Sequence, residues 1–291
     1  MNVLITGHEG FVGKNFTNYL NINKINTFKF GSKNSFSDIE KNMKKFDIIF
    51  HFAGQNRAKS KKKFVKNNKV FTEQLIKILE KKNLKIPIIY TSTIKVNEKS
   101  DYGISKKNSE KLLIKSFKKR KISLAILRLP NLFGKWSKPN YNSVVATFCY
   151  NISRNLNVSS NKKHISLLYI DDLIKFLFKK FIINFKTFKK KNNQKIYESF
   201  SPIKLIKVNE LEKKIKYFEN ARQNFYLPDL NSDFDKKLYS TFLTYLPSKK
   251  FTYALNTNVD KRGIFCEVFK HPKFGQISYL TINPKESRGE H

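Results

Sequence analysis

Hydrophobic and polar positions follow two rhythms along this chain, and the change between them falls near residue 250. Up to about residue 225, short aliphatic runs bounded by charge alternate with longer stretches whose apolar positions recur three and four apart. That is the pattern of strands separated by helices. Val3, Leu4 and Ile5 open the chain as a strand, a helix is predicted over about 11–20, and Asn26 to Phe30 reads as a second strand. Asp47 to Phe52 is an apolar run between charges, as expected of a strand buried on both faces of a parallel sheet. A long helix over about 62–82 carries Phe64, Val70, Phe71, Leu75, Ile78 and Leu79 at helical spacing. Ile86 to Thr91 follows as a strand delivering Thr91, Ser92 and Thr93 to the sheet's carboxyl edge, and a further helix runs from Tyr102 to about Lys119. Val208, Leu211, Ile215 and Phe218 mark an amphipathic helix over 205–223. The fold class predicted is α/β, a doubly wound, Rossmann-type parallel sheet with helices on both faces. From Phe251 the spacing shortens to alternating strands around Gly263 and after Gly275, and the stretch between, rich in Asp, Ser and Pro, reads as a connector. The domain boundaries expected are 1–228, a linker over 229–250, and a β segment over 251–291.

The opening stretch MNVLITGHEGFVGKN places glycines at Gly7, Gly10 and Gly13, where a strand runs into a helix. Gly7 lets the turn close, Gly10 admits a pyrophosphate to the backbone N–H groups, and Gly13 lets the helix pack close to the strand. Phosphates then sit at a helix N-terminus, where unpaired N–H groups and the helix dipole favour an anion. A phosphate-binding P-loop is excluded, because five residues separate Gly7 from Gly13 and Lys14 is followed by Asn15.

Charge and composition narrow the class. The formal net charge is +36, from 58 Lys and Arg against 22 Asp and Glu. The lysines are scattered through every segment beside Asn, Ile and Phe, which looks like compositional bias and argues against a nucleic-acid partner. What the charge predicts is attraction of anionic substrates. Cys149 and Cys266 are too few for a disulfide framework or a cysteine metal site. A core strand opens the chain, with no leader pattern before it, and no run reaches the roughly 18 apolar residues of a membrane span. The expectation is a cytoplasmic protein with no membrane partner.

Candidate chemistry gathers at the strand ends. The second strand ends in Gly31, Ser32 and Lys33, with none of the acid that holds a ribose 2′-hydroxyl, so Ser32 and Lys33 are expected to take a 2′-phosphate and NADPH is favoured over NADH. Ala53 and Gly54, ending the third strand, would lie beside the cofactor. Tyr102 and Lys106, four apart, share one helical face. Bringing a phenol from a pKa near 10 to about 7 takes roughly 4 kcal/mol. A neighbouring ammonium, the nicotinamide and the Thr93 hydroxyl are plausible sources of that shift. A tyrosine so tuned gives a proton to a carbonyl oxygen while a hydride reaches the carbon.

The glycine fingerprint, the Thr91–Thr93 cluster and the Tyr102/Lys106 pair together resemble the extended short-chain dehydrogenase/reductases that act on nucleotide sugars. The resemblance continues through Arg128-Leu-Pro-Asn131-Leu-Phe133-Gly134 and Tyr169-Ile-Asp171-Asp172. It implies catalytic roles for Thr93, Tyr102 and Lys106, and cofactor contacts from Gly7, Gly10, Phe11 and Gly13, with Tyr102 and Lys106 also beside the cofactor. Thr93, Asn131 and Arg128 fall on the substrate side. Residues 128–155 and 237–247 more specifically resemble the bifunctional capsular-polysaccharide enzymes that make the precursor of UDP-N-acetyl-L-fucosamine. Without that likeness, Trp136, Tyr141 and Phe148 would read equally as substrate-lid or core aromatics. In those enzymes an NADPH-dependent C4 ketone reductase precedes a cupin, a metal-binding barrel that epimerises C3. The likeness implies a UDP-sugar substrate and leaves a homodimer open. It also implies that 251–291 is the start of a truncated cupin, with His291 only the first ligand of an incomplete metal site. A 4-epimerase or dehydratase holding NAD tightly is the alternative, although a dehydratase wants an Asp-Glu pair where Ile94 and Lys95 stand. A non-catalytic nucleotide sensor is the other, against which the retained Tyr102/Lys106 pair speaks.

Overall fold

The computed structural model describes residues 1–31, 33–56, 65–271 and 273–288. Two compact units divide the chain: residues 1–143 with 166–205, and residues 144–165 with 206–291. These units interleave along the chain, whereas the sequence pattern divides it in series.

The first unit is built on six parallel strands. They are β1 (Asn2–Thr6), β2 (Asn26–Phe30), β3 (Ile48–His51), β4 (Ile88–Thr93), β5 (Leu124–Leu129) and the strand Gln194–Tyr197, in the order β2-β1-β3-β4-β5 followed by that last strand. The helices of this unit that matter for the site are α1 (Phe11–Ile22), α2 (Phe36–Asn42), α3 (Phe71–Lys81) and α4 (Asp101–Lys119). The chain leaves β1 toward one side to make β2 and returns on the other to make β3, so the carboxyl ends of β1 and β3 flank the switch point where doubly wound sheets bind ligands. Two apolar clusters hold the layers: Val3, Ile5, Phe16, Phe50 and Leu127 among others on one face, and Leu4, Ile49, Leu75, Leu79 and Phe117 on the other. Burial on both faces explains why β1, β3, β4 and β5 read as apolar runs, while β2 and Gln194–Tyr197 at the sheet edges are largely exposed.

Boundaries move by a few residues from the pattern. The long helix expected from about residue 62 is described as a π-helical turn over Val65–Val70 leading into α3, and its first residues, Phe64 among them, lie outside the described residues. The strand expected over 86–91 extends to Thr93, in register with Leu129 of β5.

The second unit packs three helices, α5 (Val144–Ile152), α8 (Val208–Gln223) and α9 (Asp233–Leu243), beside an antiparallel sheet of Thr257–Asp260, Gly263–His271 and Gly275–Leu280. (In this count α6 is Ile170–Leu177 and α7 is Phe185–Lys190.) Here a sequence expectation is corrected: the linker over 229–250 contains α9. The Ser232 hydroxyl caps it by accepting from the Asp235 N–H at 3.0 Å, and Leu238 and Phe242, one turn apart, are buried. Phe242 meets Phe218 of α8 at 6.2 Å between ring centroids. The alternating strands expected after Phe251 are present. Among the described residues no helix is long and apolar enough to cross a membrane.

Candidate active site

The glycine turn is shaped by close approach. Gly7 sits at φ +73°, and a Cβ there would lie 2.6 Å from the Ala53 nitrogen; one on Gly13 would lie 2.1 Å from the Gly7 carbonyl oxygen. Turn, β3 and α1 can therefore meet only if both positions lack a side chain. At Gly10 the single described neighbour of such a carbon is the Gly7 oxygen at 3.3 Å, so this face of the turn is open. Gly10 is also the N-cap of α1, whose first turn carries no acid to compete with an anion. A cradle that a Cβ would fill, at a helix N-terminus, fits a dinucleotide pyrophosphate. Phe11 packs its ring against the core beneath.

At the tip of β2 the structure adds a group that the sequence pattern missed. A Cβ on Gly31 would lie 3.0 Å from the Glu9 carboxylate and 2.6 Å from the His8 ring. The acid absent after the second strand thus comes from the glycine turn. Lys33 is exposed at this end, and Ser32 lies outside the described residues.

Buried polar groups brace the end of β3. His51, fully buried, lies between the Thr6 hydroxyl at 2.8 Å from Nδ1 and the Thr72 hydroxyl at 3.0 Å from Nε2. Thr72 gives its own proton to the Asn68 carbonyl, so it accepts from His51 Nε2–H, and Nδ1 accepts from Thr6. Burial, reinforced by the nearby Lys106 charge, pushes the imidazole down to about 3, keeping it neutral. Asn68 clasps Gln55 through both backbone groups, at 2.7 and 3.1 Å, and donates to Ser105 Oγ on α4 at 3.0 Å. Neither His51 nor Asn68 is singled out by the sequence pattern. A polar residue in an apolar strand and an asparagine among lysines are weak signals.

The proposed catalytic residues come from β4 and α4. Thr93 ends β4 and accepts from the Lys95 N–H at 3.2 Å. Ser100 caps α4 by accepting from the Gly103 N–H at 3.1 Å, and a Cβ on Gly103 would lie 2.4 Å from the Lys95 oxygen. Gly103 thus lets the first turn of α4, with Tyr102, press against the turn that follows Thr93. Lys106 is 4% exposed, and a Cβ on Gly54 would lie 3.5 Å from its Nζ. The structure therefore brings Lys106 and Gly54 together at the end of β3.

Two expectations about electrostatics are corrected. The Tyr102 phenol is not lowered toward neutrality but pushed up to about 12 by burial. Lys106 is itself pushed down to about 7, because burial outweighs the favourable Glu110 carboxylate. Arg128, expected on the substrate side, is engaged inside the fold. Its Nε and Nη2 donate to the two Glu110 oxygens at 3.1 and 2.6 Å, and its Nη1 pairs with Glu198. Those bonds hold its pKa above the usual value. The guanidinium ties β5 to α4 and is not left open for an anion.

Asn131, exposed after β5, donates to the Ser166 carbonyl at 3.3 Å. Lys135 pairs with Asp171 at 2.6 Å, which joins the two motifs of the resemblance. Trp136 is 43% exposed, with the Lys14 and Lys135 ammoniums 5.0 and 5.7 Å from its ring centroid, while Phe148 is buried in α5 of the second unit. The aromatics left open by sequence thus divide into a surface group and a core group. His291 lies outside the described residues.

Residues 3–181 match the NAD dependent epimerase/dehydratase family. Over its whole length the chain is 35% identical to the UDP-2-acetamido-2,6-beta-L-arabino-hexul-4-ose reductase of Pseudomonas aeruginosa, covering 77% of that protein. The capsular polysaccharide assembling protein CapF of Staphylococcus aureus matches with a TM-score of 0.84 and 35% identity, over 98% of this chain and 76% of that one. The UDP-glucose 4-epimerase of Thermotoga maritima, at 18% identity, shares the fold with a TM-score of 0.68 over 84% of this chain and 98% of its own.

Proposed function

This chain belongs to the NAD-dependent epimerase/dehydratase family, and from that premise we propose that it is a nucleotide-sugar 4-keto reductase. The substrate we assign is a UDP-2-acetamido-2,6-dideoxy-hexos-4-ulose, whose C4 ketone is reduced in the making of a capsule or surface-polysaccharide precursor. The observation that carries the reading is the meeting of Gly54 with Lys106 beside the open Gly7–Gly13 turn, which supports a cofactor seat and a proton relay at one sheet edge. We assign reductase chemistry to residues 1–228 and a cupin relationship to 251–291, on the likeness to the bifunctional enzymes.

A bound reduced nicotinamide supplies a hydride to a carbonyl carbon. The chain's own groups do the rest. The Tyr102 phenol, pushed up to about 12, keeps its proton through the neutral range and can donate it to the ketone oxygen. Lys106, near 7, is a ready store for the proton that replaces it. Thr93 spends one lone pair on the Lys95 N–H and retains its O–H to orient the ketone. Asn131 is the substrate-side residue of this reading, and Arg128 keeps α4 in place.

NADPH is the cofactor we favour, supported by Lys33 at the tip of β2 and the excess positive charge of the chain. The Glu9 carboxylate beside Gly31 opposes that preference and limits it. A cytoplasmic enzyme acting on soluble UDP-sugars, with self-association as a dimer, completes the proposal. The test is stoichiometric: purified protein given excess NADPH and the keto sugar should consume one cofactor per alcohol formed. A tightly held NAD that is recycled without net consumption would mean a 4-epimerase instead.

A further inference from the structure

Lys106 carries a buried cation with an unusual set of neighbours. Among the described residues its ammonium has no carboxylate or carbonyl partner, since both oxygens of Glu110, the nearest acid in sequence, accept from Arg128. The group it lies against is an aromatic face: Nζ stands 4.2 Å from the ring centroid of Tyr90, in β4. Tyr90 is wholly buried. Its ring packs at 5.2 Å against His51, which in turn stacks on Phe71 at 5.3 Å and 19° between planes. His51 is held at both ring nitrogens by Thr6 and Thr72. Phe71, His51, Tyr90 and the Lys106 ammonium thus follow one another from α3 through β3 and β4 to α4.

We infer that Tyr90 is the positioning residue for Lys106, its ring face serving as the seat that holds the ammonium at the end of β3. The negative face of an aromatic ring attracts a cation, and the attraction is strongest where water is excluded. A ring on a strand of the central sheet is also a rigid seat, whereas a carboxylate in its place would bind Lys106 so strongly that its proton could no longer be exchanged near neutrality. The neutral His51 behind the ring lets the seat be braced without adding a second positive charge. Among the described residues the titratable and charged groups bearing on the ammonium are Glu110 on its own helix, His51 on β3 and Tyr90 itself on β4, with Tyr102 bearing on Tyr90 and Arg128 of β5 acting through Glu110.

The inference rests on Lys106 having its proposed role only for its effect on turnover, so the primary readout is independent of catalysis. The rate at which an amine-selective acylating reagent modifies Lys106 at pH 5, where an amine with a pKa of about 7 is almost wholly protonated, reports the neutral amine when followed by peptide mass. Replacing Tyr90 by leucine should raise that rate by about 2- to 20-fold, the rise in neutral amine that loss of a cation–π contact would bring at that pH. It should also move the alkaline limb of the reductase pH profile to lower pH by up to about 1.5 units. Tyr90→Phe, which keeps the ring, should restore both. Because leucine leaves a void in a packed core and so destabilises the fold, phenylalanines of increasing fluorination at position 90 supply the decisive series, since they keep the shape and drain the ring face. A graded rise in acylation with fluorination is expected. Equal rates across the series, or a Phe variant as altered as the Leu variant, would overturn the seat.

Discussion

Gly103→Ala separates the geometry of the site from the stability of the fold. The added methyl would lie 2.4 Å from the Lys95 oxygen, 3.0 Å from the Glu98 oxygen and 3.1 Å from Ser100 Oγ. The first distance is about 1 Å short of an ordinary carbon contact of roughly 3.5 Å. Two of those neighbours are backbone oxygens of the turn that follows Thr93, so relief requires the turn and the start of α4 to part by about that amount. Overpacking of this kind costs about 1–3 kcal/mol. Alanine recovers about 1 kcal/mol over glycine inside a helix. The net loss of stability should therefore be about 0–2 kcal/mol, leaving the protein folded. Catalysis should suffer more, because a 1 Å displacement between Thr93 and Tyr102 costs on the order of 100-fold. Urea denaturation paired with steady-state NADPH oxidation measures both quantities. A stable Gly103→Ala variant with turnover within about twofold of the parent would refute the claim that this glycine sets the spacing of Thr93 and Tyr102.

Three further outcomes are expected. Tyr102→Phe should lower turnover by about 10²- to 10⁴-fold while cofactor affinity, read by fluorescence titration, stays within about twofold; near-parental turnover would remove Tyr102 from the mechanism. NADPH should bind more tightly than NADH, Glu9→Gln should widen the gap by selectively strengthening NADPH, and Lys33→Glu should narrow it, all by equilibrium titration; equal affinities in the parent would defeat the cofactor assignment. Acid should weaken the fold through His51, whose pKa is about 3 in the fold and 6.5 as its ordinary value. The unfolded chain then binds the extra proton, so stability present above pH 6.5 is lost as pH falls, by about 2 kcal/mol between pH 7 and 5. Urea melts across that window should show the loss in the parent and not in His51→Leu; the same slope in both would clear His51.

What the sequence reveals and what it hides follow from the range of the interactions. The Gly7–Gly13 turn is legible because its constraints, a positive φ and an approach to the next helix, act within a few residues. The central strands β1, β3 and β4 are legible because burial on both faces leaves an apolar run, whereas the edge strand Gln194–Tyr197, polar and largely exposed, leaves no such signal. Helix α9 is hidden because Leu238 and Phe242 make only a one-turn stripe among charges, and its stability comes from α8. The pairing of Arg128 is hidden because its partners, Glu110 and Glu198, lie 18 and 70 residues away. The direction of the Tyr102 shift is hidden for the same reason: the lysine four residues on is visible in sequence, whereas the burial that outweighs it is a property of the packed site. Glu9 reaches the tip of β2 from the turn after the neighbouring strand β1, where no spacing rule would look for an acid.

The central claim is net hydride delivery to C4 of a UDP-4-keto sugar, and it is tested most directly with NADPH carrying deuterium at the transferable C4 position of its nicotinamide. Incubation with UDP-2-acetamido-2,6-dideoxy-hexos-4-ulose, followed by NMR of the product, should show one deuterium at sugar C4 for each NADPH oxidised, and none with Tyr102→Phe on the same timescale. A product formed without deuterium at C4, or no oxidation of NADPH in the presence of the keto sugar, would contradict the account.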